Sequence, residues 1–374
     1  ALMVLVLAIV WASSQVFVTR FRIGLLLNLI AVGVACHAGY GVYRMVNPDV
    51  TLFGVEMSAG SLGSFINRNN AALIMNHGLA ASLGLLAWRL KALTGSEVDD
   101  ESFEFNDLMA LMNDRESMLG LLAAVLCIVG LVTCGSRGGV IACLVGSSLA
   151  FGWTRQYRGV RSLIAVGATV IACVVLLVVP LNLDLKSIQR LEMMSEQDFQ
   201  TGRFEHWPDG WQTAMAHLPA GSGMGTYAYA YLPHQEYMSS SWFHHADNLW
   251  LELLVEQGLV GIILTLALLV IFGRMLIKME LSPDPIDHGL RVAGWYVVGA
   301  IAMSQLVDFG LILPANLFLA SVFMAASLAR SSATGVESMD DEETELVYSS
   351  RSAFAINGAV AGLVIAAALL AMHQ

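Results

Sequence analysis

The chain has 374 residues, 56% of them hydrophobic and only 13% charged, with a mean hydropathy of +0.66 and a formal net charge of −11. An ordinary soluble domain carries about 25% charged residues, so that class is excluded. With 19 basic against 30 acidic residues, the chain has no electrostatic footprint for nucleic acid. Its apolar residues come in blocks of roughly 18 to 22, the length that crosses a ~30 Å hydrocarbon core as helix. The blocks lack the two-residue alternation of a β-barrel. The fold class is therefore all-α, a polytopic membrane protein.

In chain order, about ten spanning segments are predicted, near 1–18, 23–43, 70–90, 117–135, 138–153, 162–181, 249–273, 291–308, 311–329 and 354–372. The fifth is short, and only a few residues around Asp308 separate the eighth from the ninth. Residue 1 is Ala inside an apolar run, so the N-terminus reads as trimmed. Thirteen of the 19 basic residues fall on alternate loops, beginning with Arg20 and Arg22 and ending with Arg330 and Arg351. The positive-inside rule makes those loops cytoplasmic. A large loop over 182–248, the 44–69 loop and the turn at Arg137 then face the periplasm or exterior, whereas the acidic runs 97–104 and 337–345 lie inside. Cys36, Cys127, Cys134, Cys143 and Cys173 sit in or beside apolar blocks without metal-ligand spacing and read as small buried hydrophobes.

Polar chemistry concentrates on the outer side. Arg68 follows Asn67 and precedes Asn69 and Asn70, where the third span begins. Asparagines there suit a turn and helix cap, or with the arginine they suit an anion or sugar hydroxyls. Arg137 lies in Gly135-Ser136-Arg137-Gly138-Gly139, between two spans. A boundary arginine can snorkel to headgroups, but flanking glycines admit close approach and its planar fork suits phosphate. The segment 201–261 holds Arg203, His206, His217, His234, His244 and His245. Within it, Trp207, Trp211, Ala214 and Met215 are spaced for an amphipathic helix, its tryptophans read first as packing and second as sugar contacts. Gly221 to Gly225 follows no strand and carries no Walker lysine, so it reads as a tight turn. Adjacent His244 and His245 point in different directions and lack zinc-site companions; no metal or cofactor is expected. An imidazole beside Asp247 suits a general base, and Asp247-Asn248 also suits a helix cap. Glu252 and Glu256 share one face early in the seventh span, where carboxylates are costly unless paired or functional. Asp308 and Asn316 return to the same side. Three arginines with a His/Asp pair imply an anionic ligand of lipid character, for which a lipid diphosphate is the natural candidate.

Four separated blocks carry a resemblance. They are 63–71 (GSFINRNNA), Ser136 to Gly139, the 201–261 segment and 308–316 (DFGLILPAN). In this order and on one side of the membrane, the chain resembles the O-antigen ligase and polymerase family of bacterial envelope glycosyltransferases. The resemblance implies a GT-C-like membrane fold in the bacterial inner membrane with the site facing the periplasm. It also implies metal-independent, inverting transfer of a glycan from a polyprenyl-diphosphate donor to a hydroxyl of a sugar, lipid A core or other acceptor. By motif, Arg137 and Arg203 would hold the diphosphate. Arg68, Asn69, Asn248, Glu252 and Asp308 would support the site or contact substrate. The family's base is a histidine of a His-Ala-His-Asn motif, but here the motif reads His245-Ala246-Asp247-Asn248. Either Asp247 takes the base role, or His245 does with Asp247 orienting it.

Two other readings stand beside this one. A transporter or flippase of a lipid-linked polyanion should show internal repeats and mid-membrane charges; no repeat is found and the charges sit at the boundary. An inactive relative that binds the lipid-linked glycan is the other, raised by the missing second histidine.

Overall fold

The protein is seen in a computed structural model that describes residues 2–47, 62–94, 105–154, 206–236 and 242–333. Among the described residues the regular elements are helical. They are α1 (Leu2–Val16), α2 (Arg20–Val46), α3 (Arg68–Thr94), α4 (Phe105–Asn113), α5 (Arg115–Thr133), α6 (Arg137–Thr154), α7 (Trp207–His217), α8 (Tyr227–Tyr231), α9 (Leu249–Lys278), α10 (Pro285–Ser304) and α11 (Pro314–Ala333), with three short 3-10 turns. The predicted segments at 162–181 and 354–372, together with Cys173 and Arg203, lie outside the described residues.

Helices stand at the remaining predicted positions, and α2, α3, α5 and α9 are each long and apolar enough to cross a membrane. Their ends are set by local chemistry. Thr19 caps α2 by accepting from the Arg22 N–H, Asp114 caps α5 at Ser117, and Asn248 caps α9 at Leu251. Such caps contribute about 1 kcal/mol each. Helix α10 begins at Pro285 rather than near 291, because Asp284 caps it and Pro285 is preorganised for the first helical position. It therefore carries Asp287, His288 and Arg291 in its first two turns.

The bundle is built around α3, which packs on α2, α5, α6 and α10; α11 packs on α1, α9 and α10. Helix–helix contact in lipid lacks a hydrophobic driving force and relies on close backbone approach through small residues. Gly84 and Gly289 supply that between α3 and α10, since a Cβ on Gly84 would stand 2.8 Å from the Gly289 carbonyl. Between α6 and α10 the contact is Gly146 against Gly299, where an added Cβ would meet backbone at 3.0 Å.

Polar pairs close both ends of this bundle. At one, Arg330 at the end of α11 binds Asp287 (2.6 Å) and Asp284 (2.7 Å), and Arg20 of α2 also reaches Asp284 (2.7 Å). Arg89 near the end of α3 holds the α5 cap Asp114 through two hydrogen bonds of 2.9 and 2.8 Å. At the other end the starts of α3, α6, α9 and α11 come together, and a second, smaller core of Ala214, Tyr227, Tyr231, Ala246, Leu251 and Val255 sits on α9.

Candidate active site

The site grows from the start of α9. Asn248 is itself extended, and its Oδ1 accepts from the Leu251 N–H (3.1 Å), which sets where the helix begins. Side chains in a helix lean toward its N-terminus. The Glu252 carboxylate, in the first turn of α9, therefore reaches back over the 245–248 strip. One oxygen meets His245 Nδ1 (2.9 Å) and the other accepts from the Ala246 N–H (3.1 Å). The Ala246 carbonyl is held by the Trp207 indole N–H (2.9 Å) and lies 3.2 Å from His206 Nε2. The Ala246 backbone is thus held at both its N–H and its carbonyl.

These contacts fix His245 in plane, and Phe309 fixes it from the face. The two rings stack with centroids 4.1 Å apart at 20°. With Nδ1 turned to Glu252, Nε2 is the nitrogen left to meet a reactant, on a side chain 35% exposed. The hydrogen bond to Glu252 is the largest influence on the ring and raises its pKa. Burial opposes the rise, while the charges of Glu252, Asp247 and Glu256 add to it. A more basic imidazole with its second nitrogen oriented is the arrangement general-base catalysis uses.

Asp247 sits in left-handed backbone, with φ of 49°. Asn, Asp and His are the non-glycine residues enriched there. The backbone therefore gives a reason why aspartate can stand where the resembling family has histidine. Asp247 bears on His245 through charge, whereas the hydrogen bond that orients the ring comes from Glu252.

Phe309 is delivered by the turn between α10 and α11. The Leu249 N–H donates to both Gln305 O (3.0 Å) and Asp308 O (3.1 Å), fastening that turn to the start of α9. The buried Asn316 amide donates to Gly310 O (3.0 Å) and Asn70 O (3.3 Å), tying the same turn to α3. Asn69, one residue earlier, accepts from Ser136 Oγ (2.8 Å), and that oxygen accepts from the Gly139 N–H (3.0 Å) at the start of α6. A Cβ on Gly138 would stand 2.7 Å from Val307, so the first turn of α6, which begins with half-buried Arg137, lies against the residues leading to Asp308 and Phe309. Arg68 is half-buried at the start of α3 and Asp308 is buried. The structure so gathers Arg68, Asn69, Arg137, His245, Asp247, Asn248, Glu252 and Asp308 at one end of the bundle, and Arg203 lies outside the described residues.

Glu256 has a different task. Its carboxylate accepts from the Gly225 (2.8 Å) and Tyr227 (3.0 Å) N–H groups, closing the glycine turn onto α9. Opposite it, α9 breaks at Gly258, whose φ is 59°. A Cβ there would collide with the Pro219 carbonyl. His244 turns away from His245 and packs against Trp242 (4.7 Å). Phe309 was not singled out from sequence; Asn70 and Asn316 were noted among the polar residues of this side without a site role, and the three lie within the 63–71 and 308–316 blocks.

The fold and site define a multi-pass helical membrane protein with an imidazole held by a carboxylate and an aromatic ring at one end of the bundle. Comparison with known families finds a match in this chain: residues 122–266 match the family described as O-antigen ligase. Over that stretch, which is less than half of the chain, the protein is similar to the O-antigen ligase family. The matched residues include Ser136-Arg137 and the 245–252 site; the 63–71 and 308–316 blocks lie outside them. No curated protein matches the chain.

Proposed function

We propose that the protein transfers a glycan from a polyprenyl-diphosphate carrier to a hydroxyl acceptor at the periplasmic face of the bacterial inner membrane, in surface-polysaccharide or lipopolysaccharide assembly. The observation that carries this reading is the His245 ring, held by Glu252 and Phe309 beside the first turn of α6. In the proposed reaction the acceptor oxygen attacks the anomeric carbon from the face opposite the diphosphate. The carbon–oxygen bond to phosphate breaks, the hydroxyl proton passes to His245 Nε2, and the polyprenyl diphosphate leaves with inversion at that carbon. Arg137 and Arg203 stabilise the charge that develops on the leaving group, with Arg68 at its edge. Asp247 tunes the base by its charge, and the reaction as proposed uses no metal.

The test is transfer in proteoliposomes supplied with polyprenyl-diphosphate glycan and acceptor. Loss of transfer in His245→Ala, with transfer kept in Asp247→Asn, supports His245 as base. The reverse pattern assigns that role to Asp247. Full activity in Arg137→Ala or Arg203→Ala removes the diphosphate clamp.

A further inference from the structure

Four aromatic residues of the loop next to the base, Tyr227, Tyr229, Tyr231 and Trp242, divide sharply by exposure. Tyr227 and Tyr231 are buried and stacked on each other (5.5 Å), forming the small core on α9. Tyr229 and Trp242 are 66% and 48% exposed. They meet edge to face at 5.6 Å although they lie on different segments of the loop. The Trp242 indole N–H donates to Ala228 O (3.1 Å), so the ring is anchored at its edge while much of it remains open. The strip 242–245 alternates: Phe243 turns inward and stacks on His206 (4.3 Å), and Trp242 and exposed His244 pack together on the other side.

We propose that Trp242 and Tyr229 form a platform for a sugar ring of the transferred glycan or of its acceptor. The proposal rests on the glycan-transfer reading, and places the platform three residues along the chain from His245. A rigid aromatic face suits a sugar for two reasons. The negative π face attracts polarised C–H groups, and few rotamers are lost on binding. The anchored indole removes part of the ordering cost in advance. A membrane-interface role would also expose aromatic rings, and it makes a different prediction.

The probe is the free glycan released by mild acid from the host's polyprenyl-diphosphate pool. Its binding to the full chain in detergent is followed by saturation-transfer NMR, and KM for donor and acceptor is measured separately in proteoliposomes. Trp242→Ala and Tyr229→Ala are each expected to weaken glycan binding about tenfold and to raise one KM by a similar factor with kcat little changed. Trp242→Phe, which keeps a ring, should recover most of the loss. The KM that rises identifies donor or acceptor as the source of the sugar. His245→Ala should keep glycan binding; if that variant also keeps full transfer, the base assignment fails while the platform stands on binding alone. Equal binding in wild type, Trp242→Ala and Tyr229→Ala overturns the platform, as does absence of binding to the wild type.

Discussion

At the residue scale, the chemistry depends on two carboxylates near one imidazole that act in different ways. Glu252 touches His245 Nδ1 and is the largest cause of its raised pKa, whereas Asp247 contributes through charge alone. The neutral ring is the base, so transfer is lost as pH falls through the raised pKa. Glu252→Gln removes the largest raising influence, and the acid limb of kcat/KM should move to lower pH. Its rate at the plateau should fall about 10- to 100-fold, because the ring also loses its orientation. Asp247→Asn should move the limb in the same direction by less, since no hydrogen bond to the ring is lost. Equal shifts in the two variants would contradict the assignment of Glu252. Asp247→Val tests the backbone separately: a β-branched residue at positive φ is strained by ~1–3 kcal/mol, visible as a lower midpoint of thermal unfolding. The motif residues were legible in sequence, as was the expectation that Glu252 is either paired or functional, because a carboxylate early in an apolar helix is costly otherwise. Which partner it takes was not, since the reach of Glu252 back across seven residues depends on where Asn248 starts the helix.

At the element scale, two irregular pieces do the positioning. The break in α9 at Gly258 seats the Pro219 to Gly225 turn, and three backbone hydrogen bonds cross between them: Ser222 N to Val255 O, Gly223 N to Glu256 O and Leu259 N to Pro219 O. Gly258→Ala places a Cβ on the Pro219 carbonyl in left-handed backbone, so a clear loss of stability is expected in detergent melts. Gly33→Ala in α2, where an added Cβ meets nothing within 4 Å, is the control and should be neutral or stabilising. The turn from Gln305 to Asn316 presents Phe309 to His245. Phe309→Leu should lower kcat about tenfold with donor KM unchanged, and Phe309→Tyr should restore it. Sequence periodicity marks α9 as one long apolar helix and cannot show the break, which is imposed by backbone contacts with a turn about 35 residues earlier. Likewise Asp308 stood out by its charge, but Phe309 is one more apolar residue in an apolar chain, and only its position against His245 gives it a role.

At the scale of the whole molecule, the polar pairs divide between the two ends of the bundle. Arg20, Arg89, Asp114, Asp284, Asp287 and Arg330 lock one end, and the His245 site occupies the other. This division follows the loop charges from which orientation was read, because helices that alternate in direction put every second connection on the same side. On the proposed orientation, the turn carrying Met224 is periplasmic, and α4, carrying Met112, is cytoplasmic. Both side chains are exposed, at 67% and 50%, so each can be replaced by cysteine without opening a core. Among the described residues the native Cys127 and Cys134 are buried and Cys36 and Cys143 are half-buried, which keeps the background of these four low. Cys173→Ser in both variants removes the fifth cysteine. In intact spheroplasts, Met224→Cys should react with a membrane-impermeant maleimide and Met112→Cys should react only after lysis. The opposite pattern would place His245 on the cytoplasmic side and remove the periplasmic site from the proposal. Labelling of both from outside would show that one of the three predicted crossings between them, α5, α6 or the 162–181 segment, does not span the membrane.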